Sequence, residues 1–275
     1  MLRDYDAHCP NEIFAERGTD WLTLEDAYAV QRAVAELRLA RGERCIGYKI
    51  GCASAAIQRQ FGLNQAVRGY LWESEARLSG CRLGHTRIAN LAIEGEIALR
   101  LSRDIPMDPP ASRVPARGAD LADYVECWFP VIELHNVVFR GGTPTSQELV
   151  AGNAMHAGFV APPFARSTHA AALLVGSVQA VAHAEIQVEL NGDLVETQNA
   201  AALPGGPLGS VHWLVSSLAP AAERLKAGDI VLTGSPGRLI PVSAGCAAAV
   251  TCAEQRVELF VERAALIQSR CSPPL

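Results

Sequence analysis

Several things are scarce or missing in this 275-residue chain, and each absence excludes something. No run approaches the roughly 18 consecutive apolar residues that a membrane span requires. No basic cluster or aromatic-interleaved basic strip is present, and the net charge of −5 with a pI near 5.8 offers nucleic acid no electrostatic footprint. The eight cysteines (9, 45, 52, 81, 127, 246, 252, 271) form no Cys-x-x-Cys pair, so neither a metal finger nor a disulfide framework is expected. The opening Met1-Leu2-Arg3-Asp4-Tyr5-Asp6 lacks the apolar stretch of a signal peptide. There is no internal repeat. These absences lead to the expectation of a reduced, cytoplasmic protein whose partner is a small molecule.

What is present is a large apolar fraction, 49%, enough to bury a substantial core. Within the apolar run 91–101, Glu94-Gly95-Glu96 places two carboxylates two residues apart. Side chains alternate across a strand, so Ile93, Gly95, Ile97, Leu99 and Leu101 share one face and Glu94, Glu96 and Ala98 the other. Such a pair reads either as a solvated face or as two ligands of a hard dication that relieves their repulsion. A third carboxylate, Glu133, interrupts the apolar segment 129–134. Buried carboxylates are rare unless paired or metal-bound. Three of them with waters suit Mg²⁺ or Mn²⁺, whereas zinc more often draws on His or Cys. His135 and His156 read as ordinary core or surface histidines.

The periodicity predicts a helix over 23–41, with Thr23 and Asp26 at capping-box spacing and Ala27, Val30, Val34 and Leu37 on its apolar face. A strand over 45–51 and a short helix over 54–61 follow. Residues 104–119, rich in Pro, Ala and Arg, read as an exposed loop, and 145–153 as a short helix or turn. Asn191-Gly192 marks a hairpin between 184–190 and 194–197. A helix begins after Pro207, and strands are expected at 229–233, 246–252 and 255–262. The plan is α+β: a helical N-terminal region with the Lys49 strand (1–80), then a β-rich body (81–275).

These segments, in this order, resemble the fumarylacetoacetate hydrolase superfamily, and within it the 2-keto-4-pentenoate hydratase and 4-oxalocrotonate decarboxylase branch. The pieces that carry the resemblance are Leu24-Glu25-Asp26-Ala27-Tyr28-Ala29-Val30-Gln31, Gly47-Tyr48-Lys49-Ile50-Gly51, Glu94-Gly95-Glu96, Pro130-Val131-Ile132-Glu133, Asn153-Ala154, Pro207-Leu208 with Trp213-Leu214, and 225–235. They span about Leu22 to Val261. The resemblance implies a rolled, mixed β-sheet body with flanking helices, assembled as a homo-oligomer. It implies that Glu94, Glu96 and Glu133 hold Mg²⁺ or Mn²⁺, and that Lys49 is a catalytic residue; its place in an apolar strand-like run adds that desolvation near a metal would lower its pKa. Thr233, Ser235 and Ser54 are expected to bind substrate, with Asn153 behind them. The implied activity is a metal-dependent lyase on a small 2-oxo or 2-hydroxydienoate acid, in which the metal chelates the 2-oxo acid and stabilises an enolate. Hydration is the first reading; decarboxylation, carbon–carbon hydrolysis of an acylpyruvate, and metal or dicarboxylate binding without turnover are the alternatives.

Three departures stand out. The branch usually carries an aspartate where this chain reads Ala66-Val67-Arg68-Gly69, with Glu73 and Glu75 the nearest substitutes. The usual Asp-Ser-Arg after the third ligand is Asn136-Val137-Val138, and the usual Thr-Ser after the lysine strand is Ala53-Ser54.

Overall fold

The run bearing the paired glutamates forms strand β5 (Ala92–Leu101), and its alternation sorts the side chains as the sequence predicts. Ile93, Ile97, Leu99 and Leu101 enter one large core cluster with Val188 and Val250 of a second sheet, whereas Ala98 joins another cluster with Phe129, Val131 and Leu232. A Cβ at Gly95 would stand 2.7 Å from Val188 Cγ2 and 3.2 Å from Ile186 Cγ2. The missing side chain is what lets the two sheets close at this point.

The structure is a computed structural model that describes residues 1–7, 14, 18–19, 21–106, 121–136, 143–163 and 180–263. Among these residues the larger sheet runs in the order β2 (Val67–Trp72), β1 (Cys45–Gly51), β10 (Ile230–Leu232), β5, β6 (Val125–His135), β7 (His156–Ala161), β3 (Ala76–Leu78), with β11 (Ile240–Pro241) paired to β5. The β1–β10 and β3–β7 pairs are parallel and the others antiparallel. The second sheet runs β4 (Cys81–Gly84), β13 (Gln255–Glu262), β12 (Ala247–Cys252), β8 (Glu185–Leu190), β9 (Asp193–Asn199). Its β8–β9 hairpin turns on Asn191 (φ 53°) and Gly192 (φ 89°), the backbone that this dipeptide favours. The fold is α+β. Strands β1 and β2, which come from the first 80 residues, hydrogen-bond within the larger sheet.

Helices α1 (Leu2–Asp6), α2 (Leu24–Ala40), α3 (Ala55–Gln60), α4 (Ser146–Ala151) and α5 (Gly206–Leu218) flank the sheets. Helix α2 begins where expected, and both halves of the Thr23–Asp26 capping box are made. Its buried face differs from the apolar one the spacing predicts. Ala27, Gln31, Ala35 and Arg38 are buried, while Leu37 is exposed. The polar pair turns inward because each finds partners there. Gln31 Nε2 donates to the carbonyls of Arg68 and Val150, and Arg38 pairs with Glu43 at 2.5 Å and Glu75 at 2.7 Å while lying over the Trp72 ring. Buried polar groups with satisfied bonds replace an apolar stripe.

Strands β2 and β7 were not legible as strands in advance. Most of the stretch expected as a loop over 104–119 lies outside the described residues, as do Val137, Val138, Cys9 and Cys271. The six cysteines within them are free thiols. Among the described residues, no helix is long and apolar enough to cross a membrane.

Candidate metal centre

Register brings the acidic residues together. On the antiparallel pair β5–β6, Glu94 lies directly opposite Glu133, and Glu96 opposite Val131. Two-residue spacing keeps Glu94 with Glu96 and Glu133 with His135 on one face. Strand β10 continues the sheet from β5 to β1, aligning Ala98 with Leu232 and Leu232 with Lys49. Lys49, one of only two lysines in the chain, thereby reaches the carboxylates. Its ammonium lies 3.1 Å from Glu133 Oε1 and donates to the Ala154 carbonyl at 3.1 Å.

Each carboxylate is held by one oxygen and leaves the other over. Glu133 Oε1 takes the Lys49 contact and accepts from His156 Nδ1–H at 2.7 Å, while Glu133 Oε2 has no hydrogen-bond partner. Glu96 Oε2 accepts from the Gly234 N–H at 3.1 Å, while its Oε1 has none. His135 Nε2 lies 3.0 Å from Glu94 Oε2 and 3.4 Å from Glu133 Oε2, at ion-pair distance but without hydrogen-bond geometry to either. One donor atom each from Glu94, Glu133 and His135 falls within 4.8 Å of the others. Glu96, Glu133 and His135 are buried; Glu94 keeps 19% of its side chain exposed, so the cluster reaches solvent on that side.

The electrostatics follow from this crowding. Burial, then the charges of Glu133 and Glu94, push the Glu96 carboxyl well above the usual range. Burial alone would push Glu133 the same way, but Lys49 and His135 override it and hold it well below. Burial opposes the charged form of His135, yet Glu133 and Glu94 push its pKa up to about 9. Lys49 is subject to the same competition. Burial lowers its pKa, but Glu133, Glu96 and Glu94 outweigh that and raise it, so the metal-free protein holds a firmly charged ammonium. The residues fit a divalent cation: buried oxygens left over on Glu96 and Glu133, beside Glu94, form a hard donor set with excess negative charge.

The other expected site residues fall nearby in different roles. Thr233 donates its hydroxyl to the Ile97 carbonyl at 2.8 Å, and Ser235 contacts Gly95 O and Gln198 Oε1. Between them, Gly234 is what grips Glu96. Ser54 caps α3, accepting from the Ile57 N–H. Asn153 pairs with both backbone groups of Tyr70, at 2.7 and 3.0 Å, an approach that Gly69 permits because a Cβ there would meet Asn153 O at 2.7 Å. Asn153, Ala154 and Met155 are all left-handed (φ 56°, 52°, 62°), a strain of about 1–2 kcal/mol for each. That turn presents the Ala154 carbonyl to Lys49.

Where an aspartate was missed, Val67 is buried among Leu22, Ala27, Leu63 and Val150. Neither suggested substitute takes its place. Glu75 accepts from Arg38 and Tyr5, and Glu73 pairs with Arg44. Both follow the Trp72 end of β2, four and six residues beyond Gly69, which pairs with Lys49. His135, set aside in the sequence as a packed histidine, belongs to the cluster instead. The available signal was Glu133-x-His135, which repeats the Glu94-x-Glu96 spacing on the adjacent strand.

A curled mixed sheet with a buried carboxylate cluster at its centre defines the class: an α+β protein built around a candidate divalent-cation site. Residues 76–262 match the family described as fumarylacetoacetate (FAA) hydrolase C-terminal, and the chain belongs to that family. It is 34% identical over 203 residues to a 2-hydroxypent-2,4-dienoate hydratase from Pseudomonas putida, covering 74% of this chain and 85% of that one. It is 31% identical over 218 residues to a 2-keto-4-pentenoate hydratase from Burkholderia vietnamiensis, covering 79% and 78%. Among solved structures, it resembles the 4-oxalocrotonate decarboxylase from Pseudomonas putida G7 complexed with magnesium and adipate, with a TM-score of 0.81 at 22% identity, covering 94% of this chain and 93% of that one. At that identity the likeness speaks for the fold.

Proposed function

We propose that this protein is a divalent-metal-dependent lyase that hydrates a small 2-hydroxydienoate acid, with Glu94, Glu96 and Glu133 holding Mg²⁺ or Mn²⁺. The observation that carries the reading is the pair of buried, unpartnered oxygens on Glu96 and Glu133, residues that share one sheet face with Glu94. When bound, the dication supplies Lewis acidity toward the carboxylate and 2-oxo oxygens of the substrate. The chain's own residues do the rest. His156 and the Gly234 N–H fix the orientation of Glu133 and Glu96. Lys49, kept protonated by its neighbours, gives a proton to the terminal carbon of the dienol and takes one back from the 2-hydroxyl group; the water that then adds leaves its hydroxyl on the conjugated carbon and its proton on the carbon beside the ketone, so the net change is addition of one water. Ser235 and Ser54, both half-buried, are the substrate contacts in this reading; Thr233 is fully buried and spends its hydroxyl on the Ile97 carbonyl. The hydratase relatives at 31 to 34% identity support the substrate class.

Decarboxylation is the second reading, and one observation favours it. Val67 leaves no carboxylate on the β2 side of Lys49 to activate water, whereas departure of carbon dioxide needs no activated water. Incubation with 2-hydroxypenta-2,4-dienoate and with 4-oxalocrotonate, followed by ultraviolet absorbance, separates the two. Turnover of the first alone favours hydration. Chelator should abolish either activity, and Glu94→Gln should lower it at least about a hundredfold. Full activity in that variant would remove Glu94 from the metal. Exposed Trp21, Leu37 and Leu39 on and before α2 support assembly as a homo-oligomer, and the free thiols support a cytoplasmic setting.

A further inference from the structure

The expected ligand set is all oxygen, yet an imidazole nitrogen shares the cluster. His135 is 2% exposed, and neither of its ring nitrogens makes a hydrogen bond among the described residues. A histidine buried only for packing normally has its polar atoms satisfied. Its cross-strand neighbours are Ala92 and His156, so on the β5 side the ring meets a methyl group rather than a bulky chain. Its Nε2 instead faces Glu94 Oε2 and the unpartnered Glu133 Oε2, at 3.0 and 3.4 Å. His156 is placed differently. Its Nε2 is also without a hydrogen-bond partner, but it is not among the donor atoms that lie within 4.8 Å of one another, and its Nδ1 is committed to Glu133 Oε1, the oxygen already taken by Lys49, so it orients a ligand rather than being one.

We propose that His135 Nε2 is a direct protein ligand of the cation, completing a mixed nitrogen–oxygen set with Glu94, Glu96 and Glu133. Resting on the metal site proposed above, this assigns that site a preference. An all-carboxylate set suits Mg²⁺, whereas a neutral imidazole favours first-row transition dications, so Mn²⁺ and Co²⁺ bind in preference to Mg²⁺.

The test is pulsed electron paramagnetic resonance on the Mn²⁺-loaded protein, together with calorimetric titration of Mn²⁺ and Mg²⁺ into the metal-free protein. Wild type should show electron-spin-echo modulation from a directly bound imidazole nitrogen. His135→Gln should lose it, and His156→Gln should keep it. The Mn²⁺-over-Mg²⁺ affinity ratio should fall about tenfold or more in His135→Gln, mainly through Mn²⁺. Tightly bound Mn²⁺ without nitrogen modulation in wild type would remove His135 from the coordination sphere while leaving the carboxylate site standing. Failure of wild type to bind any dication would instead overturn the metal site itself. The wild-type spectrum decides the question even if His135→Gln does not fold.

Discussion

Replacing Lys49 with methionine keeps the length of the buried stem and deletes the ammonium, with its charge and its hydrogen bond to the Ala154 carbonyl. In the metal-free protein the 2%-exposed ammonium is the close partner of Glu133, and its field also opposes the burial of Glu96 and Glu94. Removing one member of a buried ion pair costs about 3–5 kcal/mol, because the other is left without compensation. At about 2–4 °C per kcal/mol for a chain of this size, the melting temperature should fall by roughly 6–20 °C. The imidazolium of His135 next to Glu133 supplies part of the missing charge and draws the expected loss toward the lower end. Saturating Mn²⁺ brings positive charge to the same carboxylates, so the gap between variant and wild type should narrow. Differential scanning calorimetry with chelator and then with Mn²⁺ measures both differences. A metal-free variant melting within about 2 °C of wild type would show that Lys49 does not compensate the buried carboxylates.

Gly95→Ala places a methyl 2.7 Å from Val188 Cγ2 and should lower stability by about 1–3 kcal/mol in urea titration; an unchanged midpoint would mean that the sheets are not closely packed there. Arg38→Met takes the counter-charge from Glu75 beneath α2, while Glu43 keeps Arg41, with a loss of about 3 kcal/mol that Glu75→Gln in the same chain should partly restore. Arg38 also governs an acid response. Burial would raise the Glu43 pKa, but hydrogen bonds from Arg38 and Arg41 hold it below the usual range. A depressed folded pKa means that this stabilisation is complete above the unfolded Glu value and is lost as pH falls through the folded one. Melting curves between about pH 3 and 7 should therefore show a shallower acid-side loss in Arg38→Met than in wild type.

The parts of this fold legible in advance were those in which one periodicity governs one face. Strand β5 sorted its residues as alternation requires, the Asn191-Gly192 hairpin followed from turn chemistry, and α2 announced its start through Thr23 and Asp26. The buried face of α2 was hidden because Gln31 and Arg38 point inward to partners that include Val150 and Glu75, 119 and 37 residues away, and spacing carries no trace of such partners. His135 was missed for the same reason. A single histidine in an apolar segment is most often packing, and only the β5–β6 register sets its ring against Glu94. The left-handed turn at 153–155 was equally silent, since alanine and methionine carry no preference for that backbone. Alternation and apolar surroundings singled out the three carboxylates, the family resemblance suggested a shared role for them, and Val67 marks a place where this chain departs from it.

Strand β10 is three residues long, yet it alone hydrogen-bonds the lysine-bearing strand β1 to the carboxylate-bearing strand β5. During synthesis the first half of the centre is finished long before residues 230–232 emerge, so the acidic cluster must wait for its counter-charge until most of the chain has been made. A shortened chain ending before Ile230 should therefore lack both the strand that brings the ammonium alongside the glutamates and the Gly234 N–H that holds Glu96.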